Sequence, residues 1–117
     1  RLKRWAYKDV AGMMRSYEYA AHAALNPGAP GRGERSELDD AARQWSEASS
    51  QAFLAGWREG SVGAPYHAAD PDESRLLLDT MLIEKALYEL RYELNNRPAW
   101  VPIPLRGLLR LAGVEAT

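Results

Sequence analysis

The run EKALYELRYELNNRPAW, Glu84 to Trp100, holds the residues of this chain best suited to chemistry. At helical spacing Tyr88, Arg91, Tyr92 and Asn95 fall on one side, with Glu84 beside them. Tyrosine and tryptophan offer flat apolar faces with one polar tip, which suits sugar rings. A sugar presents C–H faces for stacking and hydroxyls that arginine, asparagine and glutamate can bond. Arg97 and Trp100 follow on the turn after the helix, clamped by Pro98. From residue types alone a second reading stays open, in which both tyrosines pack against another helix and their hydroxyls satisfy backbone groups.

Other chemistries find no support. There is no G-x-x-x-x-G-K-[ST] loop, no G-x-G-x-x-G after a strand and no H-E-x-x-H. GRGERS contains glycines but follows a helix, so it is no phosphate cradle. Glu84 and Glu93 lie half a turn apart around a helix and cannot form a paired-carboxylate site. His22 and His67 are far apart, without further ligands at metal spacing, so no metal site is expected. No catalytic residue is expected in this chain.

A formal net charge of −1 over 117 residues argues against a general nucleic-acid binder. No apolar run reaches the length of a membrane span, and no membrane association is expected. The absence of cysteine excludes disulfides and thiolate sites and suggests the cytoplasm.

The elements that must position these residues read as helices, at about 8–25, 36–58, 71–96 and 104–112, in one all-α unit spanning 1–117. In the first, Val10, Met13, Met14, Tyr17, Ala21 and Ala24 recur at three- and four-residue steps, with Asp9 as N-cap. The second opens on Ser36 as a capping serine and presents Leu38, Ala41, Ala42, Trp45, Ala48, Ala52 and Phe53. The third has Asp70 at its N-cap, Pro71 at its first position and Glu73 three residues after the cap. Leu76, Thr80, Ile83, Leu87, Leu90 and Leu94 are its predicted buried seam, with Lys85 and Glu89 paired on the solvent face. The stretches 26–35 and 60–70, rich in glycine and proline, are loops.

Three blocks, KDVAGMMRSYEYAA (Lys8–Ala21), the W…A…FL.GW pattern of Trp45–Trp57, and LIEKALYELRYELNNRPAWVPIPLRGLL (Leu82–Leu109), resemble the C-terminal end of maltokinases. Those actinobacterial-type enzymes phosphorylate maltose at its anomeric hydroxyl with ATP and are often fused to trehalose synthase. They share the aminoglycoside-phosphotransferase form of the protein-kinase-like fold. The resemblance covers nearly the whole chain in order. It implies the C-terminal part of a kinase C-lobe, acting in trehalose and glycogen metabolism.

It also implies roles for residues. Tyr88, Tyr92, Asn95, Arg97 and Trp100 would line the groove for maltose or a related sugar, and Asp9 would brace the catalytic loop. The family's HGD and DFE motifs lie before the region matched here and are absent from this sequence. Phosphoryl transfer needs a positioned base and metal-held phosphates, so ATP and Mg belong to the complete kinase. This chain alone is expected to bind neither and to be inactive. The reading from a different class is a free-standing helical protein-interaction module without catalysis. An isolated fragment would self-associate through its uncovered face.

Overall fold

The computed structural model describes the backbone of residues 1–24 and 32–114, and the side chains of those residues except 32–36. Its elements run α1 (Leu2–Ala23), α2 (Arg32–Gly60), α3 (Pro71–Asn96), a single 3-10 turn at Pro98–Trp100, and α4 (Pro102–Leu111). The fold is all-α.

Local chemistry sets the ends of α3. The Asp70 carboxylate accepts from the Asp72 amide at 3.1 Å, and Pro71 occupies the first helical position. At the far end Arg97 has φ −142° and ψ 73°, because the ring of Pro98 excludes helical geometry from the residue before it. α4 stops in a Schellman motif. Gly113 adopts φ 80°, its amide donates to the Arg110 carbonyl, and Val114 N–H reaches back to Leu109.

Two helix starts differ from expectation. α1 opens at Leu2, so Asp9 is an exposed residue two turns inside the helix and not its N-cap. Trp5 and Tyr7 carry the same helical register upstream, where neither proline nor glycine interrupts it. α2 runs from Arg32, four residues before Ser36, and the expected capping contact of Ser36 lies outside the described side chains.

α1 is the central element, packing along α2 on one side and α3 on the other, while α4 closes against α3. The apolar core joins Tyr7, Val10 and Ala11 to Leu54, Leu78, Met81 and Leu82, with Trp57 and Phe53 against it. Tyr7 is its node. Its ring meets Trp57 edge-on with centroids 5.0 Å apart, and its hydroxyl lies 2.8 Å from Ser74 Oγ. A buried tyrosine is stable only when its hydroxyl is satisfied, and the start of α3 supplies the partner.

The inner face of α3 is not the leucine seam. Ser74, Leu78, Met81, Leu82, Ala86, Glu89 and Glu93 are buried, whereas Leu76, Ile83, Leu87 and Leu94 are 67%, 40%, 53% and 59% exposed. The α2 face is rotated likewise. Ser46, Ser50 and Leu54 are buried, while Leu38 and Trp45 are exposed, Trp45 touching Tyr17 edge to face. Small hydroxyl residues let α1 and α2 approach closely, and Ser50 Oγ donates to the Met14 carbonyl.

Between α1, α3 and α4 lies a buried ionic layer. Arg15 donates through Nε to Glu89 at 2.8 Å and through Nη1 to Glu18, whose other oxygen accepts from Arg110. Glu89 is therefore not the solvent-side partner of Lys85. Charges are buried only when paired, and here each carboxylate is met by an arginine. Arg15 Nη2 is buried and has no partner among the described residues, which costs about 1–3 kcal/mol.

Gly107 of α4 seats directly on this layer. A Cβ there would lie 3.0 Å from Arg15 Cζ and 3.3 Å from Nη2, and closer still to Nη1. Arg15 is held by Glu89 and Glu18 and cannot step aside. Gly107→Ala should therefore cost about 1–3 kcal/mol through overpacking, despite alanine's higher helix propensity. Gly12, in mid-α1 with nothing within 4 Å of its Cβ position, should gain about 0.5–1 kcal/mol as alanine. Urea unfolding of the two variants beside wild type checks the opposite signs.

Candidate functional site

The parallel run of α1 and α3 repeats the Arg15–Glu89 contact one turn further on. Tyr19 follows Arg15 by four residues and Glu93 follows Glu89 by four, so the Tyr19 hydroxyl donates to Glu93 Oε2 at 2.8 Å. Glu93 is 1% exposed. Its carboxylate also accepts two parallel bonds from Arg97, from Nε to Oε1 and from Nη2 to Oε2, both at 2.9 Å. A bidentate fork fixes the guanidinium plane as well as its position.

That plane lies among aromatic rings. Arg97 Cζ stands 4.1 Å from the Trp100 centroid and 5.7 Å from that of Tyr92. Trp100 in turn stacks on Tyr19 at 6.1 Å with 26° between the planes. The order Tyr92, Arg97, Trp100, Tyr19 forms a continuous cation–aromatic stack with Glu93 beneath it. The proline-directed stop at Arg97 makes this possible, because the 3-10 turn brings Trp100 back beside the helix end. The Trp100 amide closes that turn by donating to the Arg97 carbonyl at 2.8 Å.

The predicted wall residues thus divide. Tyr92, Arg97 and Trp100 come together. Tyr88 is 64% exposed and meets Lys85, whose ammonium sits 5.3 Å from its ring. Asn95 is exposed one turn beyond Tyr92 and makes no described contact with the stack. Glu84, exposed, approaches Arg4 at 3.5 Å, a surface pair of little weight. Both tyrosine rings of α3 remain open to solvent, so packing against α1 is not their role. The tyrosine that does pack there is Tyr19. Tyr19 and Glu93 were invisible as site residues, though a glutamate four before an arginine at a helix end was a usable sign.

The electrostatics separate the two inner carboxylates. Burial pushes Glu93 up, but the hydrogen bonds from Arg97 and Tyr19 and the Arg97 charge outweigh it, leaving its pKa below 4.5. Burial also raises Glu89, and there the opposing Arg15 charge and hydrogen bond do not fully compensate. The Tyr19 phenol is raised by burial first and then by its bond to Glu93, so it stays a neutral donor. Arg97 is raised chiefly by Glu93 and stays cationic.

The two histidines lie in different surroundings. His67 Nδ1 lies 2.6 Å from Ser61 Oγ and its ring stacks on Trp57 at 5.4 Å. His22 is half-buried, and burial followed by the nearby Arg106 charge lowers its pKa. Among the described residues no three His, Cys, Asp or Glu side chains are grouped to hold a metal, and no helix is long and apolar enough to cross a membrane.

Chemically the stack offers ring faces and hydrogen-bond donors to a ligand. Its arginine commits Nε and Nη2 to Glu93, and among the described residues Nη1 has no partner. Tyr92 and Tyr88 add open ring faces. No protein-family model matches the chain.

Glu93 sets a pH dependence whose sign follows from its lowered pKa. The folded value lies below the unfolded one. Its contribution to stability is therefore complete above about pH 4.5 and is lost as pH falls through the lower folded value. The stability difference between wild type and Glu93→Gln should be largest near neutrality and shrink below about pH 4.5. Urea melts of both proteins from about pH 7 to about pH 3 check this, and a constant difference would refute it.

Proposed function

We propose that this chain is the C-terminal helical part of a maltokinase-type sugar kinase, and that it supplies the wall against which the acceptor sugar lies. The single observation that carries the reading is the exposed cluster of Tyr92 and Arg97 beside Trp100, with Arg97 held by a buried carboxylate. A pyranose stacks on aromatic faces and gives its hydroxyls to fixed donors, and Arg97 Nη1 is such a donor. The resemblance of Leu82–Leu109 to maltokinase C-termini supports maltose as the sugar. Asn95, exposed on the same side, offers an amide for a further hydroxyl.

In this reading the wall orients maltose for transfer of a phosphoryl group to its anomeric oxygen. ATP, Mg and the catalytic aspartate belong to the rest of the kinase. Asp9, exposed on α1, is open to the catalytic-loop backbone that it would brace. A trehalose synthase, fused or associated, would act in the same metabolism. A cytoplasmic site of action fits this chemistry.

A second reading rests on a different observation. Leu76, Ile83, Leu87 and Leu94 leave an apolar row on the outer face of α3. Such a row suits a helical interaction module without catalysis, or self-association of the isolated chain. Sedimentation velocity across a wide concentration range separates the cases. Association that is abolished by Leu87→Glu favours the row, and a monomer throughout argues against it.

For the kinase reading, Tyr92→Ala in the complete enzyme should lower kcat/KM for maltose by about tenfold, the loss of one stacking contact of ~1–2 kcal/mol. The ATP KM should not change. An unaltered kcat/KM for maltose would remove Tyr92 from the wall.

A further inference from the structure

Arg97 is 45% exposed along its side chain, and a free arginine at a helix end samples many rotamers. Ordering one on ligand binding costs about as much as a good contact returns. Here the cost is met before any ligand arrives. Glu93 grips Nε and Nη2, Trp100 and Tyr92 flank the guanidinium, and among the described residues Nη1 has no hydrogen-bond partner. Glu93 is fixed in turn, because Tyr19 bonds its Oε2 and packs its ring on Trp100. The anchor therefore spans three elements: α1 through Tyr19, α3 through Glu93, and the 3-10 turn through Trp100.

We propose that Glu93, with Tyr19 behind it, is the positioning residue of the sugar wall, holding Arg97 in the one orientation that presents Nη1 to a ring hydroxyl beside Tyr92. This rests on the maltose reading above. Glu93 touches no ligand itself and acts through Arg97 alone. The buried carboxylate is thereby explained as a determinant of sugar affinity and not only of stability. Glu89, one turn earlier, is spent on Arg15 and presents nothing outward.

The test is a maltose titration of the complete enzyme followed by NMR with selective labelling, reading the Arg97 Nε–Hε signal and the Trp100 indole. In wild type the Arg97 signal should be sharp, shifted by its carboxylate bond, and moved by maltose. Glu93→Gln should release it to the position of a solvated arginine and weaken maltose binding at least about fivefold. Arg97→Ala should weaken binding comparably, and adding Glu93→Gln to Arg97→Ala should weaken it no further. Tyr19→Phe keeps the ring on Trp100 but removes one bond to Glu93. It should give an intermediate loss, and it serves as the variant of record if Glu93→Gln does not fold.

An Arg97 signal unchanged by Glu93→Gln, or by Tyr19→Phe in its place, would overturn the positioning role. So would a further loss of affinity from Glu93→Gln in the Arg97→Ala background, since Glu93 would then act by another route. If maltose moves neither signal in wild type while Glu93→Gln still releases Arg97, the sugar reading falls. The clamp then stands as a structural ion pair, and the positioning role is overturned with that reading.

Discussion

Two carboxylates on the inner face of α3, Glu89 and Glu93, constrain the rest of this structure. Neither could be left unpaired out of water, because an isolated buried charge costs several kcal/mol. Each must therefore be met by donors from another part of the chain. Arg15 and Tyr19 of α1 meet them one turn apart, which fixes the register and the parallel direction of α1 along α3. A slip of one residue would turn both donors away from their acceptors. Apolar packing around Tyr7 tolerates small shifts; the ionic ladder does not.

The two rungs have different consequences. The Arg15 rung is buried against Glu18, Arg110 and the backbone of Gly107. It brings α4 close enough that no side chain fits at Gly107. The Glu93 rung opens outward, because Arg97 comes from beyond the helix end and stays partly in water. The same ion-pair chemistry thus builds a core layer at one turn and a rigid surface at the next. That change, from sealed to open, is set by where Pro98 stops the helix.

The site was legible in its types more than in its construction. Tyr88 and Tyr92 stood out by their helical spacing with Arg91 and Asn95, and Arg97 and Trp100 by their place around Pro98. That Trp100 folds back onto Arg97, and that Tyr88 stands apart with Lys85, depends on the path of the 3-10 turn, which residue types do not specify. Tyr19 lies 74 positions from Glu93 in the chain, and no local pattern joins them.

The sequence by itself determined the helical class and the ends of α3. Asp70–Pro71 and Arg97–Pro98 act through backbone geometry and hydrogen bonds within a few residues. Only the tertiary structure decided which face of α3 is inside. Leucines at three- and four-residue steps predicted Leu76, Ile83, Leu87 and Leu94 as the seam, yet these are exposed and Glu89 and Glu93 are buried. Hydrophobicity ranks side chains as if each faced its fate alone. A carboxylate met by an arginine and a tyrosine from a distant helix has most of its desolvation cost offset, and that offset exists only once the helices are together.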